Sequence, residues 1–168
     1  LDPDNESAQG DLANAYELSG KDPMDVFEAR WLKNQENVSY GIDYADRLVV
    51  ADRPSEATNV LRSVLNVDRT SKIAWRKLAE AYYGANDLEK SADSYGELFK
   101  LGKRDHRVAI KISSIQVELD DFENAIRWVN KAISISAAGE SFAQKGNVYY
   151  KAFQFCRSRD ISIEDKIV

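Results

Sequence analysis

Asp87-Leu88-Glu89-Lys90 and Asp121-Phe122-Glu123-Asn124 stand 34 residues apart, and the same interval separates Ala57 from Ser91 and Ser91 from Ala125. A fixed interval of this size marks a chain built from repeated units. Around each small residue the order is constant: an apolar stretch with helical spacing, a short polar turn, then a second apolar stretch. Each unit therefore reads as helix–turn–helix. Starts at Val38, Lys72, His106 and Glu140 keep the interval.

The unit from Val38 places Tyr44, Ala45 and Leu48 on its first helix and Ala57, Leu61 and Val64 on its second, with Asp52-Arg53-Pro54-Ser55 between them. Pro54 fits the first turn of a helix, where its missing N–H leaves no bond unmade. In the unit from Lys72, Asp87 is expected to cap the second helix, and Gly102 to follow its last turn. The unit from His106 carries Ile112, Ser113 and Gln116, then Ala125, Val129 and Ala132, and ends before Gly139. From Glu140 a further helix places Ala143, Gly146, Asn147 and Tyr150 on the pattern, and Ser158-Arg159-Asp160 interrupts before a second helix is complete. At the front, a shorter unit from Glu6 puts Leu12, Ala13 and Tyr16 on its first helix; after Asp22-Pro23, its second holds Phe27, Trp31 and Leu32.

Trp75, Leu78, Ala79 and Tyr82 fall on the pattern W-x2-L-G-x2-Y, with Ala79 for the glycine, and Ser91 and Tyr95 follow. With the 34-residue period, these residues make the chain resemble a tetratricopeptide repeat (TPR) array. The resemblance implies an all-α, right-handed α-solenoid of stacked antiparallel helix pairs. Its units lie near 6–37, 38–71, 72–105 and 106–139, with a partial unit from 140 and residues 158–168 as a tail or the start of a truncated helix. Leu1-Asp2-Pro3-Asp4-Asn5 reads as an inter-unit turn, and Ser162-Ile163-Glu164-Asp165 as a capping-box-like start, so both ends are expected to be cut. One repeat cannot bury its apolar face alone. Cut ends should therefore self-associate.

Composition narrows the function classes. With 168 residues, 43% hydrophobic and 30% charged, the chain can bury a substantial core. No apolar run reaches the ~18–20 residues that cross a bilayer, so no membrane insertion is expected. No signal peptide is visible; a soluble protein, cytoplasmic or bacterial periplasmic, fits. A net charge of -5 disfavours a nucleic-acid partner, which needs a basic face. The single histidine, His106, and the single cysteine, Cys156, leave a zinc site or a nucleophilic triad without parts. No enzyme, metal or cofactor is expected. Trp31, Trp75 and Trp128 read as packing residues. The basic cluster of Lys100, Lys103, Arg104, His106, Arg107 and Lys111 reads as a solvated turn, with anion binding as its sharper alternative.

What the resemblance implies about function lies on the first helix of each unit, where positions 2, 5, 9, 12 and 13 line a concave groove. These are Ser39, Ile42, Asp46, Val49 and Val50; Ile73, Arg76, Glu80, Tyr83 and Gly84; Arg107, Ile110, Ser114, Val117 and Glu118; then Ser141, Gln144, Val148, Lys151 and Ala152. The apolar members suit a peptide or helix, and Arg76 and Arg107 suit acidic groups on it. TPR domains that clamp chaperone C-terminal carboxylates pair lysine at position 5 with asparagine at position 9. Here the pairs are Gly10/Asn14, Ile42/Asp46, Arg76/Glu80, Ile110/Ser114 and Gln144/Val148, so that clamp is missing. A non-catalytic scaffold for a protein or peptide partner is the expectation. The alternatives are a structural or oligomerisation segment and an accessory domain of a larger enzyme.

Overall fold

The computed structural model describes residues 6–20, 23–102 and 104–159. These residues are all-α: α1 (Glu6–Leu18), α2 (Met24–Lys33), α3 (Val38–Val50), α4 (Pro54–Val67), α5 (Lys72–Gly84), α6 (Leu88–Leu101), α7 (His106–Glu118), α8 (Phe122–Ile135) and α9 (Gly139–Arg159). From α3 to α8 the bounds themselves repeat. Helices of 13 residues begin at Val38, Lys72 and His106, and helices of 14 residues begin at Pro54, Leu88 and Phe122. The chain forms two compact units, residues 1–85 and 86–168.

The repeat is cut to length by backbone chemistry at its corners. Asp52, Asn86 and Asp120 take φ of 58°, 59° and 58°, and Gly20 takes 71°. This left-handed conformation is costly for most L-residues and cheapest for Gly, Asn and Asp. After α3, Asp52 N–H donates to the Val49 carbonyl (3.1 Å) and Arg53 N–H to the Leu48 carbonyl (2.8 Å). After α7, Asp120 N–H donates to Val117 (3.1 Å) and Asp121 N–H to Gln116 (2.9 Å). Both are Schellman closures, which satisfy the last carbonyls of a helix while reversing the chain.

Caps restart each helix at the same interval. Asn37, Ser71 and Asp105 accept backbone N–H bonds at the starts of α3, α5 and α7; Asp87 and Asp121 do so for α6 and α8. A side-chain bond from Lys90 holds the Asp87 carboxyl below the usual carboxylate range. At the equivalent place before α4, Arg53 makes no side-chain cap; Pro54 occupies the first turn, and the Arg53 guanidinium grips Glu56 with two bonds (2.6 and 2.7 Å). Gly102 follows the last turn of α6, as its place in the sequence predicts, in extended backbone (φ -82°, ψ 172°).

In the first unit, α3 packs on α2, α4 and α5. Tyr44, Ala45, Leu48, Ala57, Leu61 and Val64 are buried together with Phe27 and Trp31, as their spacing predicts. Trp31 lies over Gly41. A Cβ on Gly41 would overlap Val64 Cγ2 and stand 2.8 Å from Trp31 Cζ3, so only glycine admits this approach. Trp75 is half-buried against the same core, and its Nε1–H donates to the Arg69 carbonyl (2.9 Å). Leu12 and Leu32, expected among the packing residues, are exposed; Ala13, Phe27 and Trp31 supply the buried faces of α1 and α2.

In the second unit, α7 packs on α6, α8 and α9. Ile112, Ser113 and Ile115 of α7 and Ala125, Val129 and Ala132 of α8 are buried. Ser113 Oγ donates to the Ala125 carbonyl (2.9 Å), so this buried hydroxyl is satisfied. Trp128 packs edge-on to Phe99 (centroids 5.3 Å apart, 89° between planes). The three small residues that set the register, Ala57, Ser91 and Ala125, are all fully buried.

The last helix departs from the pattern. Where the corner residue would fall, α9 has Phe153 and Gln154, neither of which tolerates positive φ as Asp or Asn does. No corner forms, and α9 runs uninterrupted for 21 residues. The interruption expected at Ser158-Arg159-Asp160 does not occur before Arg159. Residues 1–5, the 162–165 start and Lys103 lie outside the described residues.

Two measurements check this account of the fold. Asp120→Val should lower unfolding free energy by ~1–2 kcal/mol, while Asp120→Gly holds or raises it, in urea denaturation; a valine variant as stable as the parent would refute the left-handed corner. Gly41→Ala should destabilise by ~1–3 kcal/mol through overpacking. Gly96→Ala, in α6 with open space at its Cβ, should stabilise by ~0.5–1 kcal/mol. Equal responses from the two glycines would mean that Trp31 does not sit on Gly41.

Candidate functional site

The first compact unit presents two stripes on the first helices of its repeats, the A helices. Along α5, Ala74, Leu78 and Ala81 are buried, while Ile73, Arg76, Glu80 and Tyr83 form an exposed row on another face. Ile73 is 61% exposed, unusual for an isoleucine with an apolar core within one helix diameter. Along α3, Ser39, Val49 and Val50 are exposed, and Ile42 is half-buried against the core. Asp46 of α3 meets Lys77 of α5 (2.9 Å), so its charge is balanced within the unit. That pair ties neighbouring A helices together on the stripe side.

In the second unit, α7 presents Arg107 and Glu118 exposed, with Ile110, Ser114 and Val117 half-buried. Ser114 Oγ donates to the Ile110 carbonyl (3.1 Å), and Val117 packs against the α8–α9 core. The α9 residues do not lie where the sequence put them. Val148, Ser141 and Ala152 are fully buried, and Gln144 Nε2 donates to Ser113 Oγ (3.3 Å). Val148 is core, packed with Phe122 and Ala125.

The physical reason is a shift of one residue. α9 begins at Gly139, not Glu140, and in that register Phe142, Gly146 and Tyr149 fall on W-x2-L-G-x2-Y, with Lys145 for the leucine. One residue turns a helix by about 100°, which swings Val148 from the stripe to the core. Positions 2, 5, 9, 12 and 13 become Glu140, Ala143, Asn147, Tyr150 and Lys151, and all five are exposed. The Gly146 and Tyr149 matches were the signal in the sequence; the strict 34-residue count overrode them.

The basic cluster is largely internally matched. His106 Nε2 lies 2.6 Å from Glu140 Oε1, one repeat further along, and Arg107 Nε lies 3.6 Å from the same oxygen. Lys100 pairs with Glu97 (2.6 Å). Glu140 therefore ties α9 to α7 as Lys77 ties α5 to α3, which leaves Arg107 less available to a partner's acid than Arg76. Cys156 is buried. Among the described residues, no group of three or more His, Cys, Asp or Glu could hold a metal ion, and no helix is long and apolar enough to cross a membrane.

No protein-family model and no curated protein matches the sequence. Solved structures do. The chain is similar to a crystal structure of MamA with a TM-score of 0.72 at 16% identity, over 95% of this chain and 88% of that one. It is similar to a Podosopora anserina putative kinesin light chain with TPR-like repeats (TM-score 0.66, 12% identity, 98% and 93% covered). It is also similar to YrrB, a TPR protein with an unusual peptide-binding site (TM-score 0.58, 14% identity, 78% and 73% covered). At these identities the likeness is one of fold, and with the 34-residue helix bounds it gives the chain a TPR-type fold.

Proposed function

We propose that the chain is a non-catalytic scaffold that holds a peptide or partner domain on the exposed stripes of its A helices. The observation that carries this reading is the α5 row: Ile73 and Tyr83 exposed on one stripe with Arg76 and Glu80 between them. Exposed apolar residues alternating with charges on a rigid helix suit an amphipathic or extended segment, with apolar anchors for affinity and charges for orientation. The peptide-binding site of YrrB, a protein of the same fold, supports the reading. Repeat units near 6–37, 38–71, 72–105 and 106–139 would each contribute one such helix.

Within the stripes, the roles divide by burial. Ile73, Tyr83 and Val49 offer apolar contact; Arg76 and Glu80 select charge; Ile42 in the first unit, and Ile110, Ser114 and Val117 in the second, are half-buried. Asp46 and Arg107, each paired with a neighbouring A helix, act through the rigidity of the stripes. Fold gives no chemistry by itself. The negative net charge disfavours nucleic acid as the partner.

The test is selection of peptides from a random display library, followed by calorimetric titration of those recovered. Ile73→Ala and Tyr83→Ala should each weaken binding ~10–30-fold, the loss usual for an interface anchor. Arg62→Ala, exposed on α4, should leave affinity unchanged. Recovery of no peptide, or loss confined to Arg62→Ala, would overturn the reading.

A further inference from the structure

On α9, Phe142, Tyr149, Tyr150 and Phe153 are 52%, 43%, 58% and 49% exposed. Phe142, Gly146, Tyr149 and Phe153 follow each other at intervals of four, three and four residues, which stacks them in one stripe along the helix. This stripe is distinct from the buried face of α9, which holds Ser141, Val148, Ala152 and Cys156. We propose that it is a docking face for a second copy of this chain, with two α9 helices packed antiparallel about a two-fold axis.

Three observations favour a second copy as the occupant. First, the stripe is self-complementary: reversing intervals of four, three and four gives the same sequence of intervals. A two-fold axis between Asn147 and Val148 sets Phe142 opposite the partner's Phe153, and Tyr149 opposite the partner's Gly146. An isologous interface requires this self-matching. Gly146 has nothing within 4 Å of where its Cβ would be, so open space faces the partner's Tyr149 in this arrangement.

Second, the stripe continues a packing mode already used inside the unit. In α9's own register, Phe142, Gly146 and Tyr149 correspond to Ala109, Ser113 and Gln116 of α7. Ala109 and Ser113 are fully buried, and Ser113 bonds to the Ala125 carbonyl of α8. That face of an A helix thus accepts an antiparallel helix. Because α9 has no corner, its stripe extends one turn further, to Phe153.

Third, the area fits a real but weak dimer. Three aromatic side chains about half exposed offer roughly 300 Å² per copy, or about 600 Å² for the pair, given ~150–250 Å² for a whole aromatic residue. Stable interfaces bury ~1,200 Å² or more, and smaller ones are transient. The dimer should therefore be transient.

Sedimentation equilibrium of the whole chain over a broad concentration range tests the proposal. A reversible monomer–dimer equilibrium is expected, and Tyr149→Lys or Phe153→Glu should shift it at least ~10-fold toward monomer with helical content unchanged by circular dichroism. Gly146→Leu separates fit from stickiness: it adds apolar surface yet should weaken the dimer by filling the space that faces the partner's Tyr149. Phe142→Lys and Phe153→Glu chains, each monomeric alone, should dimerise when mixed, since only the antiparallel arrangement opposes residues 142 and 153. A monomer at all concentrations would overturn the proposal. So would a dimer that Gly146→Leu strengthens, or a mixture of the charge variants that stays monomeric.

Discussion

A left-handed backbone corner, occupied by Asp52, Asn86 and Asp120 at 34-residue intervals, is the constraint on which the rest of this chain depends. Helix propensity and apolar spacing alone would let an A helix run on into the next segment. An Asp or Asn that accepts positive φ at small cost stops it, and the Schellman bonds that follow satisfy its carbonyls. The next residue or two then cap the following helix, so stop and restart occur within three residues. Because the corners recur at a fixed interval, helix lengths recur too, and the small residues Ala57, Ser91 and Ala125 are each fully buried. α9 is the internal control. With Phe153 and Gln154 at the corner site, the chain stays helical through Arg159.

Most of this architecture was legible in the sequence because its determinants are local. Val38, Lys72 and His106 open helices where the interval puts them, and Asp87 caps as its type predicts. What escaped was set by tertiary packing or by a break in the period. Leu12 matched the pattern by type and interval, yet α1 turns Ala13 inward instead. Gly41 stands one repeat before Trp75, where the pattern has an aromatic residue, and its reason is Trp31, ten residues earlier on another helix. The α9 register failed because a strict count of 34 was carried past Gly139, where the repeat shortens by one, and Val148 was thereby assigned to a surface it does not reach.

The stripes illustrate how far residue type alone can mislead about availability. Asp46 and Arg107 read as partner-facing charges, but each has an opposite charge on an adjacent A helix, Lys77 and Glu140. Such half-exposed pairs contribute little to stability, ~0–1 kcal/mol; their larger effect is to hold neighbouring stripes in register. The apolar residues behave the other way. Ile73 and Tyr83 remain exposed although core positions lie one helix face away, and the proposed binding role of this stripe rests on that exposure.

Backbone φ angles measured by solution NMR test the central claim most directly. The account predicts left-handed values at Asp52, Asn86 and Asp120, with unbroken helical values from Gly139 through Arg159. Helical values at any of the three corner residues, or a reversal of the chain near Phe153, would contradict it.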